Sequence, residues 1–413
     1  MKLNVVVDIS GIFYRSLFTV GNYGLKKGQK LLSTESSQGM FMRKLATDFS
    51  ALIRSVDNID RVIICMDSSS WRKQVTIEGG GYKSGREDKD QSTIDWSEFF
   101  RLTEEFTNIL ESKGYVMAKI KDAEADDLLY LWSRKLNQMG ESVVMITGDR
   151  DLLQVIDLNP NGSWTVCLDP VTARRKVSLS QAIQNISREE VPVGDVDLFN
   201  PETWGSTPGD ALFSLLEKND LQIVDPGRIA TKKVLLGDGG DSVPGVVTWL
   251  DAKDPTKERT LSENKIEKAL ANLPSMTWKD LQAGTYIKEI TRELSTVSKL
   301  TLNAEDLQKK IERNVKLVVL DTYIIPSSIQ DKFTELFQQV ESSPVNLSRS
   351  AILEGTEWWK DTKGPAVGFS LELGNEEVSS EPIVKSKEDS IALQKAIANI
   401  NGKNSTKNTT ALF

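Results

Sequence analysis

The sequence of 413 residues contains no histidine. This absence excludes catalytic triads built on histidine, histidine general bases and the usual histidine-rich zinc sites. Any hydrolytic chemistry would have to rest on carboxylates, lysine, tyrosine, serine, cysteine or water activated by a metal ion.

Cysteines and long apolar segments are also scarce. The two cysteines, Cys65 and Cys167, have no spacing typical of zinc ligation or of a disulfide framework, so we interpret them as buried reduced thiols of an intracellular protein. No apolar run approaches the roughly 18–20 residues of a membrane span. The run at 3–7 is too short for a signal peptide. We therefore expect a cytoplasmic protein without a membrane partner.

The formal net charge is −8, whereas proteins that bind nucleic acids usually carry a basic surface. Net charge is a poor guide when acidic side chains gather around bound cations, because an ion reverses the local electrostatics. The positions of the acids are therefore more informative than their number. The length is sufficient for two or three domains.

Acidic residues recur where predicted strands end. The strands are 3–9, 61–66 and 143–146, and the acids at their ends are Asp8, Asp67, Asp149 and Asp151. The continuous apolar runs predict buried strands of a parallel sheet, hence an α/β fold. The carboxyl ends of such strands meet at one edge, where ligands bind. Each acid taken alone is equally well explained as the N-cap of a following helix.

Further acids lie at a predicted helix start and in a glycine-rich turn. The helix opens with Asp122-Ala-Glu124-Ala-Asp126-Asp127, whose intervening alanines offer no basic partner, and the turn after Gly237 carries Asp238 and Asp241. Capping explains two or three acids more easily than nine. The nine are Asp8, Asp67, Glu124, Asp126, Asp127, Asp149, Asp151, Asp238 and Asp241. They suit two divalent ions about 3.5–4 Å apart that catalyse phosphodiester hydrolysis.

Residues 71–90 combine basic and aromatic side chains with three consecutive glycines. The basic and aromatic residues are Trp71, Arg72, Lys73, Tyr82, Lys83, Arg86 and Lys89. Such an arrangement matches a groove that binds single-stranded nucleic acid. The run 79–81 disfavours a helix and indicates a mobile segment. An ordinary solvated loop is the alternative.

The second half of the chain changes character twice. Proline and glycine indicate a loop-rich insertion at 185–230, and helical spacing then covers 262–272, 278–296, 304–313 and 327–340. From 341 onward the composition is polar and indicates a linker or disordered tail, with one possible helix at 386–400. The chain ends in the apolar pair Leu412-Phe413, which is either a frayed terminus or a docking peptide.

In their order along the chain, these residues resemble the motifs of the 5′-nuclease (flap endonuclease) superfamily. The matching elements are Asp8, Asp67, Tyr82-Lys83-x-x-Arg86, Glu124-Ala-Asp126-Asp127, Thr147-Gly-Asp149-x-Asp151 and Gly237-Asp238-x-x-Asp241-x-x-Pro-Gly. Trp71-Arg72, Asp95-Trp96 and the segment 318–326 are similar to the ribonuclease H of T-even bacteriophages. The resemblance covers residues 1–340. Ser242 departs from the asparagine expected there.

The resemblance implies a division of the chain into four parts. A PIN-like catalytic domain with a parallel sheet would occupy 1–184, with a flexible arch at about 71–95. The loop-rich insertion would cover 185–230, and a helical domain with a helix–three-turn–helix would cover 231–340. The remainder, 341–413, would be the mostly disordered tail.

The resemblance also implies roles for individual residues. Asp8, Asp67, Glu124 and Asp126 would hold one Mg²⁺ (or Mn²⁺), Asp149, Asp151 and Asp241 with Asp238 nearby would hold a second, and Asp127 would lie behind these ligands. Lys83 and Arg86 would face the scissile phosphate, assisted by Tyr82 and Arg72. Duplex contacts would come from Lys232, Lys233, Gly237, Gly239, Gly240 and Gly245, with K⁺ as a further ligand of the turn.

The implied activity is 5′→3′ exonuclease and flap cleavage during lagging-strand replication in a phage-infected bacterial cell. A monomer would remove RNA primers and adjacent DNA from duplexes with 5′ ends, flaps or forks. The sliding clamp, docked by Leu412-Phe413, and the single-strand-binding protein are the expected partners. The alternatives are a repair endonuclease specific for flaps or forks, and a junction-binding protein that does not cut.

Overall fold

The structure is a computed structural model. It describes residues 3–21, 29–54, 56, 59–77, 80–84, 93–159, 161, 163–168, 185–187, 222–224, 226–254 and 256–342. These residues belong to one compact unit, which spans 1–87 and 91–364; the second unit, 88–90 and 365–413, lies outside them.

A six-stranded sheet forms the centre of the first half of the chain. Its order is β3 (Val116–Ala118), β2 (Ile59–Cys65), β1 (Leu3–Asp8), β4 (Ser142–Ile146), β6 (Trp164–Leu168) and β5 (Asp157–Leu158). All pairs are parallel except that of β5 with β6. The register places Asp8 beside Cys65, and Val7 beside Ile146. The three acid-bearing strand ends therefore lie at one edge.

Both faces of the sheet are covered, which explains why its strands are continuously apolar. Helices α1 (Ile9–Val20), α2 (Glu35–Arg54) and α3 (Trp96–Ser112) pack on the face that carries Val5 and Val7. The opposite face, which carries Val6, packs against α4 (Ala125–Gln138).

A helical region follows in the second half of the chain. It consists of α5 (Pro226–Leu236), the hairpin β9 (Thr248–Leu250) and β10 (Glu258–Thr260), α6 (Glu263–Leu270), α7 (Trp278–Gln282), α8 (Ile287–Ser298) and α9 (Ala304–Val318). These elements share a separate core, which also buries Ile77 and Tyr82. The final helix, α10 (Ser327–Ser342), returns to the sheet, where Phe333 and Phe337 both pack against Trp132 at 5.3 Å between ring centroids.

The observed sheet confirms the predicted α/β fold, with two local differences. Helix α1 directly follows β1, although only the strand was predicted there. The helix predicted over 278–296 is divided into α7 and α8, because Gly284 adopts a left-handed φ of +68°. Among the described residues, no helix is both long and apolar enough to cross a bilayer.

Several predictions concern residues outside the described ranges. Arg86, Lys89, the helix at 386–400 and Leu412-Phe413 belong to this group, as does most of the segments 185–230 and 341–413. Within the former segment, β7 (Asn185–Ser187) and β8 (Gln222–Val224) pair in parallel, and α5 already begins at Pro226. The proposed domain boundaries stay predictions.

Candidate active site

Four acids from separate elements meet at the carboxyl edge of the sheet. Asp8 ends β1, Asp67 follows β2, Asp126 lies in the first turn of α4 and Asp149 follows β4. Asp8 Oδ1 accepts a hydrogen bond from Gly11 N (3.3 Å) and its Oδ2 accepts one from Thr147 Oγ1 (3.3 Å). We call these four residues the sheet-edge acid group.

Asp67 and Asp149 are also held by hydrogen bonds. Asp67 accepts from Ser10 Oγ (2.8 Å) and from the backbone N–H of Ala125 at the start of α4 (2.9 Å). Asp149 accepts from the N–H of Asp151 (2.8 Å) and so caps the 3₁₀ helix Arg150–Val155. Helix capping and a shared site, which were alternatives for the sequence alone, therefore coexist in the structure.

Burial and the crowding of like charges together determine the electrostatics of Asp8 and Asp126. Burial, together with the charges of Asp67 and Asp149, raises the pKa of Asp8 to about 6. Burial and the charges of Asp149, Asp8 and Asp67 raise the pKa of Asp126 well above its usual range. Ionising Asp8 and Asp126 is therefore costly, and a bound cation would offset that cost.

A second set of acids is paired with basic side chains. Arg72 is 2% exposed, and its guanidinium donates to Glu124 Oε2 (2.9 Å) and to both oxygens of Asp127 (2.8 and 3.1 Å). Arg72 was predicted to contact nucleic acid; in this structure its guanidinium contacts these two carboxylates, and the contact with nucleic acid stays a prediction. A buried guanidinium needs carboxylate partners, and here it has two.

The same contacts define the surroundings of Asp127, which was predicted to lie behind the metal ligands. Its oxygens accept from Arg72, from Trp71 Nε1 (3.1 Å) and from the backbone N–H of Glu124 (3.1 Å), which completes a capping box. With its carboxylate engaged in this way, Asp127 holds Arg72 and the start of α4, and its place near a metal ion stays a prediction. The expectation that this acidic helix start lacks a basic partner was wrong, because Arg72 comes from a distant segment.

Tyr82 and Lys83 connect Glu124 with Asp241. The Tyr82 hydroxyl lies 3.0 Å from Glu124 Oε2 and 3.0 Å from Asp241 Oδ2. Lys83 forms an ion pair with Glu124, and its Nζ lies 3.8 Å from Asp241 Oδ2. Tyr82 is buried between these acids, and its predicted contact with nucleic acid stays a prediction. Its hydroxyl shares one proton between two carboxylates.

Lys233 connects the two remaining acids. Its ammonium forms an ion pair with Asp151, which lies in the 3₁₀ helix after β4. The same ammonium lies 3.0 Å from Asp238 Oδ2 in the glycine-rich turn. Lys83 and Lys233 thus each link one acid of the half that contains the six-stranded sheet with one acid of the turn. We call the linked residues, Glu124, Asp151, Asp238 and Asp241, the lysine-bridged acid group.

In this group the basic partners outweigh the effect of burial. Burial alone would raise the pKa of Glu124, but Arg72 and Lys83 lower it below its usual range. Burial would also raise the pKa of Asp238, but Lys233 and the backbone N–H groups of Gly240 and Asp241 lower it. Glu124 and Asp238 are therefore stabilised in the ionised form.

The two groups border a common cleft of about 320 Å³, counting solvent at its mouth. Asp126 of the sheet-edge group and all four members of the lysine-bridged group line it, together with Lys233. Sequence reasoning did not identify Gln154, which also lines this cleft. Its side chain donates to Val318 O (3.2 Å) and accepts from Leu320 N (3.0 Å), which ties the 3₁₀ helix after Asp149 to the helical region.

The turn at 237–245 is shaped by close packing. A Cβ on Gly237, whose φ is +71°, would lie 2.4 Å from Val243 O, and one on Gly245 would lie 2.1 Å from Thr260 Oγ1. Gly239 has open space around it, and Gly240 has only the Asp238 side chain nearby. Gly237 and Gly245 are thus needed for the turn itself, while their predicted contact with a duplex stays a prediction.

Two further observations concern the same turn. Asn314, which carries no sequence signal, donates from its buried amide to Val234 O and Pro244 O, both at 2.9 Å. Lys232 pairs with Glu263 (2.6 Å) and Glu267 (2.8 Å) of α6, so its ammonium contacts α6 and not the lysine-bridged acid group. In this conformation Lys232 makes protein contacts, and its predicted duplex contact stays a prediction.

The predicted division into two ligand sets is only partly reproduced. Asp149 lies with Asp8, Asp67 and Asp126, whereas Glu124 lies with the acids of the turn. Over the described ranges, no group of three or more acidic or cysteine side chains is arranged to hold a metal ion as it stands.

The donor chemistry of the sheet-edge acid group nevertheless fits a hard divalent cation. All of its donors are carboxylate oxygens, which Mg²⁺ and Mn²⁺ accept. The raised pKa values of Asp8 and Asp126 show an excess of negative charge that such a cation would neutralise. In the lysine-bridged group, Lys83 and Lys233 already supply positive charge.

Comparison with known proteins gives matches of several kinds. Residues 3–185 match the family model of the 5′-3′ exonuclease N-terminal resolvase-like domain. The 5′-3′ exonuclease of Buchnera aphidicola subsp. Schizaphis graminum is 31% identical over 157 residues, which are 38% of this chain and 50% of that protein. DNA polymerase I of Bacillus caldotenax is 24% identical over 249 residues, 59% of this chain and 22% of that protein. The chain thus spans half or less of these relatives.

Two solved structures are similar over most of the chain. The T5 D15 protein co-crystallized with metal ions shares 16% identity and a TM-score of 0.46, covering 82% of this chain and 99% of that one. A bacteriophage T5 D15 flap endonuclease pseudo-enzyme-product complex with DNA and metal ions shares 15% identity and a TM-score of 0.39, covering 82% and 100%.

Proposed function

We propose that the chain is a metal-dependent 5′→3′ exonuclease and flap nuclease, a proposal supported by the match of residues 3–185 to the family model of the 5′-3′ exonuclease N-terminal resolvase-like domain. The observation that carries the proposal is the sheet-edge acid group. Four carboxylates from four separate elements gather at the carboxyl edge of a parallel sheet, where such folds bind ligands. Pure binding of nucleic acid would not need this concentration of negative charge, which repels phosphate.

In the proposed enzyme, the sheet-edge acid group holds one divalent cation and the lysine-bridged acid group contributes to a second. Such a pair of ions, Mg²⁺ or Mn²⁺, would activate water and stabilise charge on the phosphate. Ser10 and Thr147 orient Asp67 and Asp8 by donating hydrogen bonds to them. These hydrogen bonds leave the second lone pairs of the carboxylate oxygens directed elsewhere.

Lys83 is proposed to supply positive charge to the scissile phosphate. It lies at the lysine-bridged acid group, and its left-handed backbone (φ 60°) together with the bond from its N–H to Asp241 O (2.8 Å) fixes its position. Arg86, three residues further on, is proposed to assist it. The turn 237–245, with K⁺ as an additional ligand, would contact the duplex backbone without reading its sequence.

The finer part of the proposal concerns substrate and setting. The substrates would be DNA and RNA–DNA duplexes with 5′ ends, flaps or forks, from which a monomeric phage enzyme of the ribonuclease H type removes RNA primers during lagging-strand replication. Sliding clamp and single-strand-binding protein would be its partners in the cytoplasm of the infected cell. A repair endonuclease acting on flaps or forks is the second candidate, supported by the same acids.

A cleavage assay tests this proposal directly. The substrate is a 5′-labelled RNA–DNA flap on a duplex, incubated with wild type in Mg²⁺ or EDTA, with Asp149→Asn, and with the control Asp306→Asn, whose acid is exposed on α9 and pairs with Lys310. Wild type and the control are expected to release short 5′ products in Mg²⁺ alone, and Asp149→Asn about 10³-fold more slowly.

The products separate the candidate functions. Successive short products from a recessed 5′ end support the exonuclease, whereas one cut at the flap junction supports the repair endonuclease. Tight binding of the flap without cleavage, in Mg²⁺ and Mn²⁺ alike, would contradict the nuclease and favour a junction-binding protein.

A further inference from the structure

Lys233 was predicted to contact a duplex, and its side chain is largely buried beside two acids. It lies in the last turn of α5 and is 13% exposed, and its ammonium is surrounded by Asp151 and Asp238. The adjacent Lys232 is also a lysine of α5, but it pairs with Glu263 and Glu267 on α6. The contacts of Lys233 are therefore specific to its position.

We propose that the Lys233 ammonium is a built-in cation of the lysine-bridged acid group and competes with the second divalent cation for Asp151 and Asp238. The inference rests on the proposed function, because it assigns a role to one residue of the same site. It goes beyond that function by predicting the order in which the two cations bind.

The charge balance of the two groups supports this competition. In the sheet-edge acid group, Asp8 and Asp67 accept hydrogen bonds from hydroxyl and backbone N–H groups, which carry no full positive charge, so a cation gains the attraction of these carboxylates. At Asp151 and Asp238, one positive charge is already in place. A divalent cation must displace that ammonium and so gains less. The first ion therefore binds the sheet-edge group, and the second binds more weakly.

Nucleic acid would remove the competition. Lysine is a compact charge on a flexible four-carbon chain, so its ammonium can exchange one anionic partner for another. The phosphate backbone of a bound duplex offers such a partner at the turn next to Lys233. Displacement of the ammonium onto phosphate would free Asp151 and Asp238, and tight binding of the second ion would follow substrate binding.

Counting bound Mn²⁺ without nucleic acid tests the competition. Free Mn²⁺ is followed by electron paramagnetic resonance during titration of full-length wild type, Lys233→Met and the matched control Lys232→Met. Wild type is expected to show a tight and a weak class of site. Lys233→Met should tighten the weak class about tenfold and leave the tight class unchanged. Lys232→Met should resemble wild type, because its ammonium faces α6.

Two further samples keep the test decisive. Lys233→Arg preserves the positive charge and should retain the weak class, and Lys233→Gln replaces Lys233→Met if circular dichroism shows that the methionine variant is unfolded. Unchanged or weaker binding in the neutral variants would overturn the proposal. So would two sites of equal affinity in wild type, a result that needs no variant.

The outcome is distinguishable from failure of the proposed function. If wild type binds Mn²⁺ in two classes and Lys233→Met tightens the weak one, the competition stands whether or not the flap is cut. If the flap is cleaved and both classes are insensitive to Lys233, the nuclease stands and the competition is wrong.

Discussion

The two acid groups border one cleft but have opposite electrostatic surroundings. In the sheet-edge acid group, burial and neighbouring carboxylates raise the pKa of Asp8 to about 6, and they raise that of Asp126 as well. In the lysine-bridged acid group, basic side chains overcome burial and lower the pKa of Glu124 and Asp238. In the first group, Asp8 and Asp67 accept hydrogen bonds from neutral donors, whereas the second group contains the positive charges of Lys83 and Lys233.

The number of acids at a site therefore does not predict their role. Uncompensated carboxylates raise the free energy of the metal-free fold, which a cation can lower again. Carboxylates paired with buried cations contribute to the fold itself, and removal of one partner is costly. Mutation should consequently affect the two groups in opposite ways.

The largest expected effect on stability is that of Arg72→Met. This change leaves Glu124 and Asp127 buried without their guanidinium partner, so the free energy of unfolding should fall by about 3–5 kcal/mol. The measurement is urea denaturation at pH 7 in EDTA. Arg101→Met is the control, because Arg101 pairs with Glu98 and Glu105 on the exposed surface of α3. It should cost less than about 1 kcal/mol.

Equal losses of unfolding free energy in the two arginine variants would contradict the distinction between the two acid groups. They would mean that the buried pairs of Arg72 contribute no more than exposed ones, and that basic partners do not distinguish the lysine-bridged group. A large loss of stability for Arg72→Met, together with a control variant whose far-ultraviolet circular dichroism spectrum is that of a folded protein, would support the distinction between the two groups.

The second prediction uses pH, because the two groups should respond with opposite sign. The folded-state pKa of Asp8, about 6, exceeds its usual value of 3.8, so the folded protein retains the proton more strongly than the unfolded chain. Wild type should therefore lose stability relative to Asp8→Asn as the pH rises from 3.8 to about 6, by up to roughly 3 kcal/mol.

Glu124 should behave in the reverse manner. Its pKa is lowered from 4.5, since Arg72 and Lys83 outweigh burial. The stability advantage of wild type over Glu124→Gln should be complete above pH 4.5 and disappear as the pH falls below it. Both series are measured by urea denaturation in EDTA. Parallel pH profiles for the two variants would contradict the distinction between the groups.

The sequence predicts the fold and the sheet-edge acid group better than it predicts the lysine-bridged acid group. Continuous apolar runs with acids at their ends predict β1, β2 and β4 and the edge where Asp8, Asp67 and Asp149 meet, because parallel strands align their ends. That inference needs only local patterns and one topological rule. It therefore holds without any knowledge of tertiary contacts.

The partners within the lysine-bridged group could not be predicted in this way. Arg72 reaches Glu124 and Asp127 across more than fifty residues of chain, and Lys233 reaches Asp151 across more than eighty. Local spacing carries no information on such contacts. Basic and aromatic residues at 72–83 therefore indicated an exposed nucleic-acid surface, whereas Arg72 and Tyr82 are buried among acids. Asn314 and Gln154 were missed for the same reason.

The smallest expected effect concerns the turn that carries Asp238 and Asp241. An alanine at Gly237 would combine a left-handed φ of +71° with a Cβ only 2.4 Å from Val243 O, so the turn must shift. Gly237→Ala should lower the free energy of unfolding by about 1–3 kcal/mol. Gly239→Ala, two residues further on, meets nothing within 4 Å and should change it by less than about 0.5 kcal/mol. Thermal or urea denaturation measures both.

The Mn²⁺ titration gives this pair of variants a second use. Because Asp238 and Asp241 move with the turn while the sheet-edge acids do not belong to it, Gly237→Ala should alter only the weak class of Mn²⁺ site. Gly239→Ala should leave both classes as in wild type. Loss of the tight class in Gly237→Ala would show that the sheet-edge acids depend on the turn, and the two groups would then have to be treated as a single site.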